Sequence, residues 1–143
     1  MRGYLLDTNV LSEIRKGSQR AQPEVYQWWL SVKDQELFLS VMTLGEIRKG
    51  IDRLGAREVS QTLALELWMD EVKQTFRDRV IDVSLAVAER WGRLQAIRSL
   101  PEVDALLAAS VLEYDLTLVT RNEADFRELG IRVLNPFLRS SAP

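Results

Sequence analysis

Short apolar runs alternate along this chain with longer stretches that repeat their apolar residues at helical spacing. Tyr4-Leu5-Leu6 is the first run and reads as a buried strand. Further strands are predicted over Leu37–Val41, Val80–Val83, Leu116–Thr120 and Ile131–Leu134. Between them lie the helical patterns. The first runs from Thr8 to Lys16 and is stopped by Gly17; the second opens on Pro23 and carries Val25, Trp28, Trp29 and Val32. Thr43 is expected to start a helix that runs from Leu44 to about Leu54, with Gly55 behind it. A long amphipathic helix follows, with Ala64, Trp68, Val72 and Phe76 as its apolar stripe. Ser84 is placed to cap a helix carrying Val87, Trp91, Leu94 and Ile97. After Pro101 a helix from Glu102 to Tyr114 is apolar nearly all round its middle, which predicts burial on several sides. A short helix over Ala124–Leu129 ends at Gly130.

Strands that alternate with helices imply right-handed crossovers and a mostly parallel sheet. The fold class is therefore α/β, with five strands and helices on both faces. No repeat or composition break divides the chain, so residues 1–138 are expected to form one domain and 139–143 a loose, flexible tail.

Composition narrows the chemistry. The 143 residues carry a net charge of −2, so no broad basic face announces general nucleic-acid binding, although local Lys and Arg can still meet phosphate. There is no cysteine and no histidine. Disulfides, thiol nucleophiles, serine–histidine triads and histidine acid–base pairs are thereby excluded. Carboxylates remain, and their oxygens suit hard cations such as Mg²⁺ or Mn²⁺. A strand that starts beside Met1 leaves no room for a signal peptide, and no apolar run approaches a membrane span, so a cytoplasmic location is expected.

Each notable acid has a structural reading of its own. Asp7 stands where the first strand meets the first helix and suits an N-cap. Thr43-Leu44-Gly45-Glu46 matches a capping box, and Asn122 with Asp125 could close a similar one. Asp104 lies in a first helical turn, where the helix dipole favours it. Their shared placement says more. Asp7, Glu46 and the segment from Asn122 to Asp125 all follow strands, at the edge where open parallel sheets bind ligands, and Asp104 opens the helix leading to the fourth strand. Carboxylates gathered there repel one another, and a divalent cation removes that cost. Glu13, by contrast, reads as a solvated charge.

The segments Leu6-Asp7-Thr8-Asn9, Thr43-Leu44-Gly45-Glu46, Asp104-Ala105-Leu106-Leu107-Ala108-Ala109 and Val119-Thr120-Arg121-Asn122-Glu123-Ala124-Asp125-Phe126 resemble those of the PIN-domain ribonucleases. Their order, with the closing Asn135-Pro136, is similar to that in the VapC/FitB toxins of bacterial toxin–antitoxin pairs. The resemblance covers nearly the whole chain and makes residues 1–138 a PIN domain. It implies a Mg²⁺- or Mn²⁺-dependent endoribonuclease in which Asp7, Glu46, Asp104 and Asp125 are the catalytic, metal-holding acids. Thr8, Thr120 and Asn122 would orient them. It implies RNA as substrate, a cognate antitoxin as partner, operator DNA reached only through that antitoxin, and a second copy of the chain as a dimer partner. One departure stands out: only Ser99-Leu100-Pro101-Glu102-Val103 separates the preceding helix from Asp104, where family members usually carry a longer, often glycine-containing stretch.

Phosphate contacts would fall to basic residues near the motifs: Arg121 first, then Arg48 and Arg15. The alternative for Arg48 is the solvated face of its helix. Trp68 and Trp91 fall on apolar stripes and read as core. Trp28 and Trp29 are neighbours on one helix, so one of them is expected to be exposed on a partner surface. Two other enzyme classes start with an acid after the first strand. Haloacid-dehalogenase phosphatases need a second Asp where Asn9 stands, and receiver domains need an Asp where Ser84 stands. A non-catalytic module that works with a DNA-binding antitoxin in operator autoregulation is the remaining alternative.

Overall fold

The computed structural model describes residues 3–138. The tail expected over 139–143 lies outside the described residues. Five strands, β1 (Tyr4–Leu6), β2 (Leu37–Ser40), β3 (Val80–Ile81), β4 (Thr117–Val119) and β5 (Arg132–Leu134), form one sheet in the order β3-β2-β1-β4-β5. Every pairing is parallel. The chain winds outward from β1 through β2 to β3, then returns to place β4 and β5 on the other side. The reversal falls between β1 and β4, and the crevice beyond their carboxyl ends is where such sheets hold ligands.

Alternation along the strands divides the core. Leu6, Leu37, Leu39 and Val119 face one layer, made by α1 (Thr8–Arg15), α2 (Pro23–Ser31), α3 (Val41–Leu54) and α4 (Val59–Thr75). Leu5, Phe38 and Leu118 face the other, made by α5 (Leu85–Ile97) and α6 (Glu102–Tyr114). With both faces covered, the strands carry continuous apolar runs. The middle of α6 is buried from Leu107 through Val111, as its all-round apolarity predicts.

Several expectations about caps and helix bounds need correction. Helix α3 begins at Val41, two residues before Thr43, and its N-cap is Ser40, whose hydroxyl accepts from the Met42 amide at 3.0 Å. The Thr43–Glu46 capping box therefore does not form, and the Thr43 hydroxyl is buried without a hydrogen-bond partner. Asn122 makes no side-chain cap, and Asp125 closes its turn only by donating its amide to the Asn122 carbonyl at 3.1 Å. That turn is a 3₁₀ segment over Glu123–Phe126, not a helix to Leu129; the positive φ of 67° at Glu128 ends any continuation. On α4 the buried positions are Met69 and Val72, followed by Phe76, while Ala64 is exposed.

Trp28 and Trp29 are both half-buried, and both pack on the core. Trp28 meets Tyr4 edge to face with centroids 5.4 Å apart. The exposed neighbour is Leu30, at 67%. Trp68 and Trp91 pack against the core, as their stripes predict.

Candidate functional site

The site starts from the register of β1 on β4. Leu6 pairs with Val119, so the next residue on each strand, Asp7 and Thr120, emerge side by side at the carboxyl edge. The Asp7 amide donates to the Val119 carbonyl at 2.9 Å, which fixes the backbone at the point where β1 turns into α1. Asp7 is then the N-cap of α1, and one carboxylate oxygen accepts from the Thr8 amide at 2.7 Å. The other accepts from the Thr120 hydroxyl at 2.7 Å and from the Asn9 amide group at 3.4 Å. The cap reading and the site reading of Asp7 thus hold together.

Asp7 is only 6% exposed. Burial raises its pKa, and the Glu46 charge adds to the rise; the bonds from Thr120, Thr8 and Asn9 pull the other way without restoring the ordinary value. Glu46, freed from capping, lies one turn into α3 and accepts the Thr8 hydroxyl at 2.5 Å. Thr8 therefore joins the first motif to the second. The Thr120 hydroxyl also accepts from the Asn122 amide at 3.1 Å, so the fourth motif is tied to Asp7 through one side chain.

Asp104 stands in the first turn of α6, half-buried. Its pKa is pushed up to about 6, first by burial and then by the charges of Asp7, Asp125 and Glu46. The charges of three acids from three other segments, Asp7, Asp125 and Glu46, therefore reach Asp104 through space. Among the described residues, no group of three or more such side chains stands arranged to hold a metal ion directly.

The basic residues divide. Arg121 sits between Thr120 and Asn122; its amide donates to the Asn9 side-chain oxygen at 3.2 Å, and its guanidinium lies 4.6 Å from the Phe137 ring centroid. Arg15, at the end of α1, lies 5.4 Å from the Trp68 ring centroid. Arg48 is engaged by Glu66 through two bonds of 2.8 Å and by Asp52 at 3.1 Å, which clasps α3 to α4 and leaves few donors for another anion. Glu13 is buried, not solvated. It accepts from the Gln22 amide at 2.8 Å and from Lys16 at 2.9 Å. Burial alone would raise its pKa, but Lys16, that amide and Arg121 outweigh burial and hold the carboxyl below its ordinary range.

Two residues matter here that the sequence reading did not select. Asn9 bridges Asp7 and the Arg121 amide, joining the first and fourth motifs directly. Its place two residues after Asp7, inside the quoted Asp-Thr-Asn run, was the available signal. Arg98 donates to the carbonyl of Asp125 and, at 3.3 Å, to that of Arg127. Nothing in sequence spacing marks that contact.

Known proteins match the chain over most of its length. The PIN-domain family model matches residues 4–131. Toxin FitB of Neisseria gonorrhoeae is 27% identical over 140 residues, spanning 93% of this chain and 97% of that protein. Ribonuclease VapC14 of Mycobacterium tuberculosis is 35% identical over 68 residues, 48% of this chain and 64% of its own length. A toxin–antitoxin complex from Klebsiella pneumoniae contains a chain that superposes with a TM-score of 0.67 at 27% identity, covering 94% of this chain and 98% of that one. No helix among the described residues is long and apolar enough to cross a membrane. With the parallel sheet, the acids at its carboxyl edge and these matches together, the chain belongs to the PIN-domain family, alongside the VapC/FitB-type toxins.

Proposed function

We propose that this protein is a metal-dependent endoribonuclease, the toxin of a toxin–antitoxin pair, acting in the cytoplasm. The observation that carries this reading is a half-buried acid, Asp104, within reach of the charges of Asp7, Asp125 and Glu46; burial first, and those charges after it, push its pKa up to about 6. A folded protein keeps such repulsion where function needs it. The donor set is all oxygen and all acidic, which fits Mg²⁺ or Mn²⁺. Asp7, Glu46 and Asp104, with Asp125 as the fourth, are the residues that would hold the ion, through water where the side chains as placed do not reach it directly. When bound, such an ion makes water acidic enough to attack near neutral pH and offsets charge on the scissile phosphate.

The chain's own part is to hold acids in place. Thr8, Thr120 and Asn9 fix the Asp7 carboxylate from three directions, and Thr8 fixes Glu46 with the same residue. Asn122 supports Thr120 through its amide. Arg121, exposed beside these groups, meets the RNA backbone; Arg15 lies farther along α1, and Arg48 serves the clasp to α4 first. In-line attack by a metal-activated water would leave a 5′-phosphate and a 3′-hydroxyl and needs no side-chain nucleophile, which agrees with the absence of histidine and cysteine.

The antitoxin occupies the face of α1, α2 and α4. There Leu11, Ile14, Trp29, Trp68, Val72 and Phe76 line a cavity of 270 Å³, and Leu30 stands exposed on α2. Operator DNA is met only through that partner, and the toxin is a homodimer.

The test is cleavage of a fluorescent single-stranded RNA by purified, antitoxin-free protein in Mg²⁺, in Mn²⁺ and in chelator, beside folded Asp7→Asn and Asp104→Asn variants. Metal-dependent cleavage lost in both variants supports the assignment. No cleavage of this RNA or of pooled cellular RNA would move it to a non-catalytic module that works with a DNA-binding antitoxin at an operator.

A further inference from the structure

Among the described residues no hydrogen bond joins Asp104 to Asp125, yet the charge of one reaches the other. Asp104 responds to the charge of Asp125, yet Asp125 is exposed and its carboxylate accepts no hydrogen bond among the described residues. Something other than its own side chain must decide where it stands. Its turn is anchored at one end by Phe126, which is 2% exposed. At the other, the Asn122 carbonyl takes the Asp125 amide.

The remaining hold comes from the short connector between α5 and α6. Gln95 grips it from inside: its side-chain amide donates to the Leu100 carbonyl at 3.0 Å, and its side-chain oxygen accepts the Leu100 amide at 2.9 Å. This double bond pattern fixes the chain one residue before Pro101, the N-cap of the helix that carries Asp104. Arg98, in the same connector, sends its two terminal nitrogens to the Asp125 and Arg127 carbonyls. Its own amide is tied to the end of α5 through the Leu94 carbonyl at 3.1 Å.

From this we infer that Arg98 is a positioning residue that sets the spacing of Asp125 from Asp104. One six-residue stretch, from Gln95 to Leu100, is closed on itself by Gln95 directly before Pro101 and α6, and is tied to the Asp125 turn by Arg98. The pair of acids is thereby referred to a common frame. A connector this short holds that frame without slack, and its brevity was the one departure from the family pattern. The guanidinium is suited to the task because its planar fork reaches two carbonyls at once; a lysine offers a single point charge and cannot span both in fixed geometry. The inference rests on the metal-site reading above.

The test measures Mn²⁺ binding by the loss of the free-ion EPR signal in wild type, Arg98→Lys and Arg98→Met. Supporting residues behind metal ligands are worth about tenfold or more in affinity. Arg98→Met is expected to weaken Mn²⁺ about tenfold, with Arg98→Lys between it and wild type. Thermal midpoints in chelator are expected to stay within about 3 °C of wild type, a shift worth about 1 kcal/mol at this chain length. For RNA cleavage, kcat falls while KM is nearly unchanged. In an Asp125→Asn background, Arg98→Met is expected to weaken Mn²⁺ no further, because the two act through one group. Wild-type Mn²⁺ affinity in a folded Arg98→Met protein, or losses that simply add in the double variant, would overturn the inference and leave the nuclease reading standing. A wild-type protein that binds no Mn²⁺ would overturn both.

Discussion

Asp104→Asn is expected to make the metal-free protein more stable while abolishing cleavage. The ordinary pKa of 3.8 rises to about 6 in the folded state. A carboxyl whose folded pKa lies above its unfolded one binds its proton more tightly when folded, so ionising it works against folding. The penalty is absent below pH 3.8, grows as the pH rises toward 6 and is complete above it. At about 1.4 kcal/mol per pH unit the full displacement would approach about 3 kcal/mol. Asp104 is only half-buried, so screening by water reduces this to about 1 kcal/mol. For a chain of this size that corresponds to a rise in Tm of about 3 °C. Thermal melts followed by circular dichroism at pH 7.5 and pH 4, each with chelator and with Mg²⁺, measure it. In chelator the variant melts higher at pH 7.5, and the gain shrinks at pH 4, where the wild-type carboxyl regains its proton. In Mg²⁺ the gain is lost, because the wild type is stabilised by the ion it binds. A variant less stable than wild type at pH 7.5 in chelator, or a gain of equal size at both pH values, would refute the electrostatic reasoning.

Thr120→Val removes the buried donor to Asp7 and the acceptor for the Asn122 amide, and should cost about 1.5–3 kcal/mol in urea unfolding and most of the cleavage activity; Thr120→Ser should recover much of both. Ser40→Ala should cost about 1 kcal/mol by removing the cap of α3, whereas Thr43→Val should be neutral or stabilising because the Thr43 hydroxyl has no partner to lose. Urea curves for the two variants decide between these helix starts, and the reverse order of effects would restore Thr43 as the cap. Arg121→Gln, made in a cleavage-dead Asp104→Asn background, should weaken RNA binding and lower the salt slope of log affinity by about 1. An unchanged slope would remove Arg121 from the RNA contact.

Much of this architecture is legible because a parallel sheet writes itself as short apolar runs. All five strands and six helices fall where the pattern puts them, with ends shifted by a few residues. The four acids could be placed at one edge because three of them follow strands and the fourth opens a buried helix. What escaped detection depends on contacts without periodicity. Val41 and Met42 are apolar and continue a strand pattern, so the real cap, Ser40, was hidden inside it and Thr43 took its place. Glu13 is a lone acid on a short helix and reads as solvated; only the returning chain, with the Gln22 amide, shows it to be buried. Arg98 binds main-chain carbonyls, groups every residue possesses, so no sequence reading could have found its partners. Asn9 is visible as part of the first motif, but nothing in the sequence shows that its side chain bridges Asp7 to the Arg121 amide.

The winding of the sheet has a consequence for synthesis. The central strand is the first of the five to be made, yet the neighbour that completes its active edge, β4, comes from beyond residue 116, and Thr120 reaches Asp7 across 113 residues. At about 5–20 residues per second, that leaves several seconds in which translation has supplied Asp7 and Glu46 but not the groups that complete their surroundings. Long-range closure of this kind is also slow to fold. An unfinished copy therefore lacks the assembled cluster until nearly the whole chain exists.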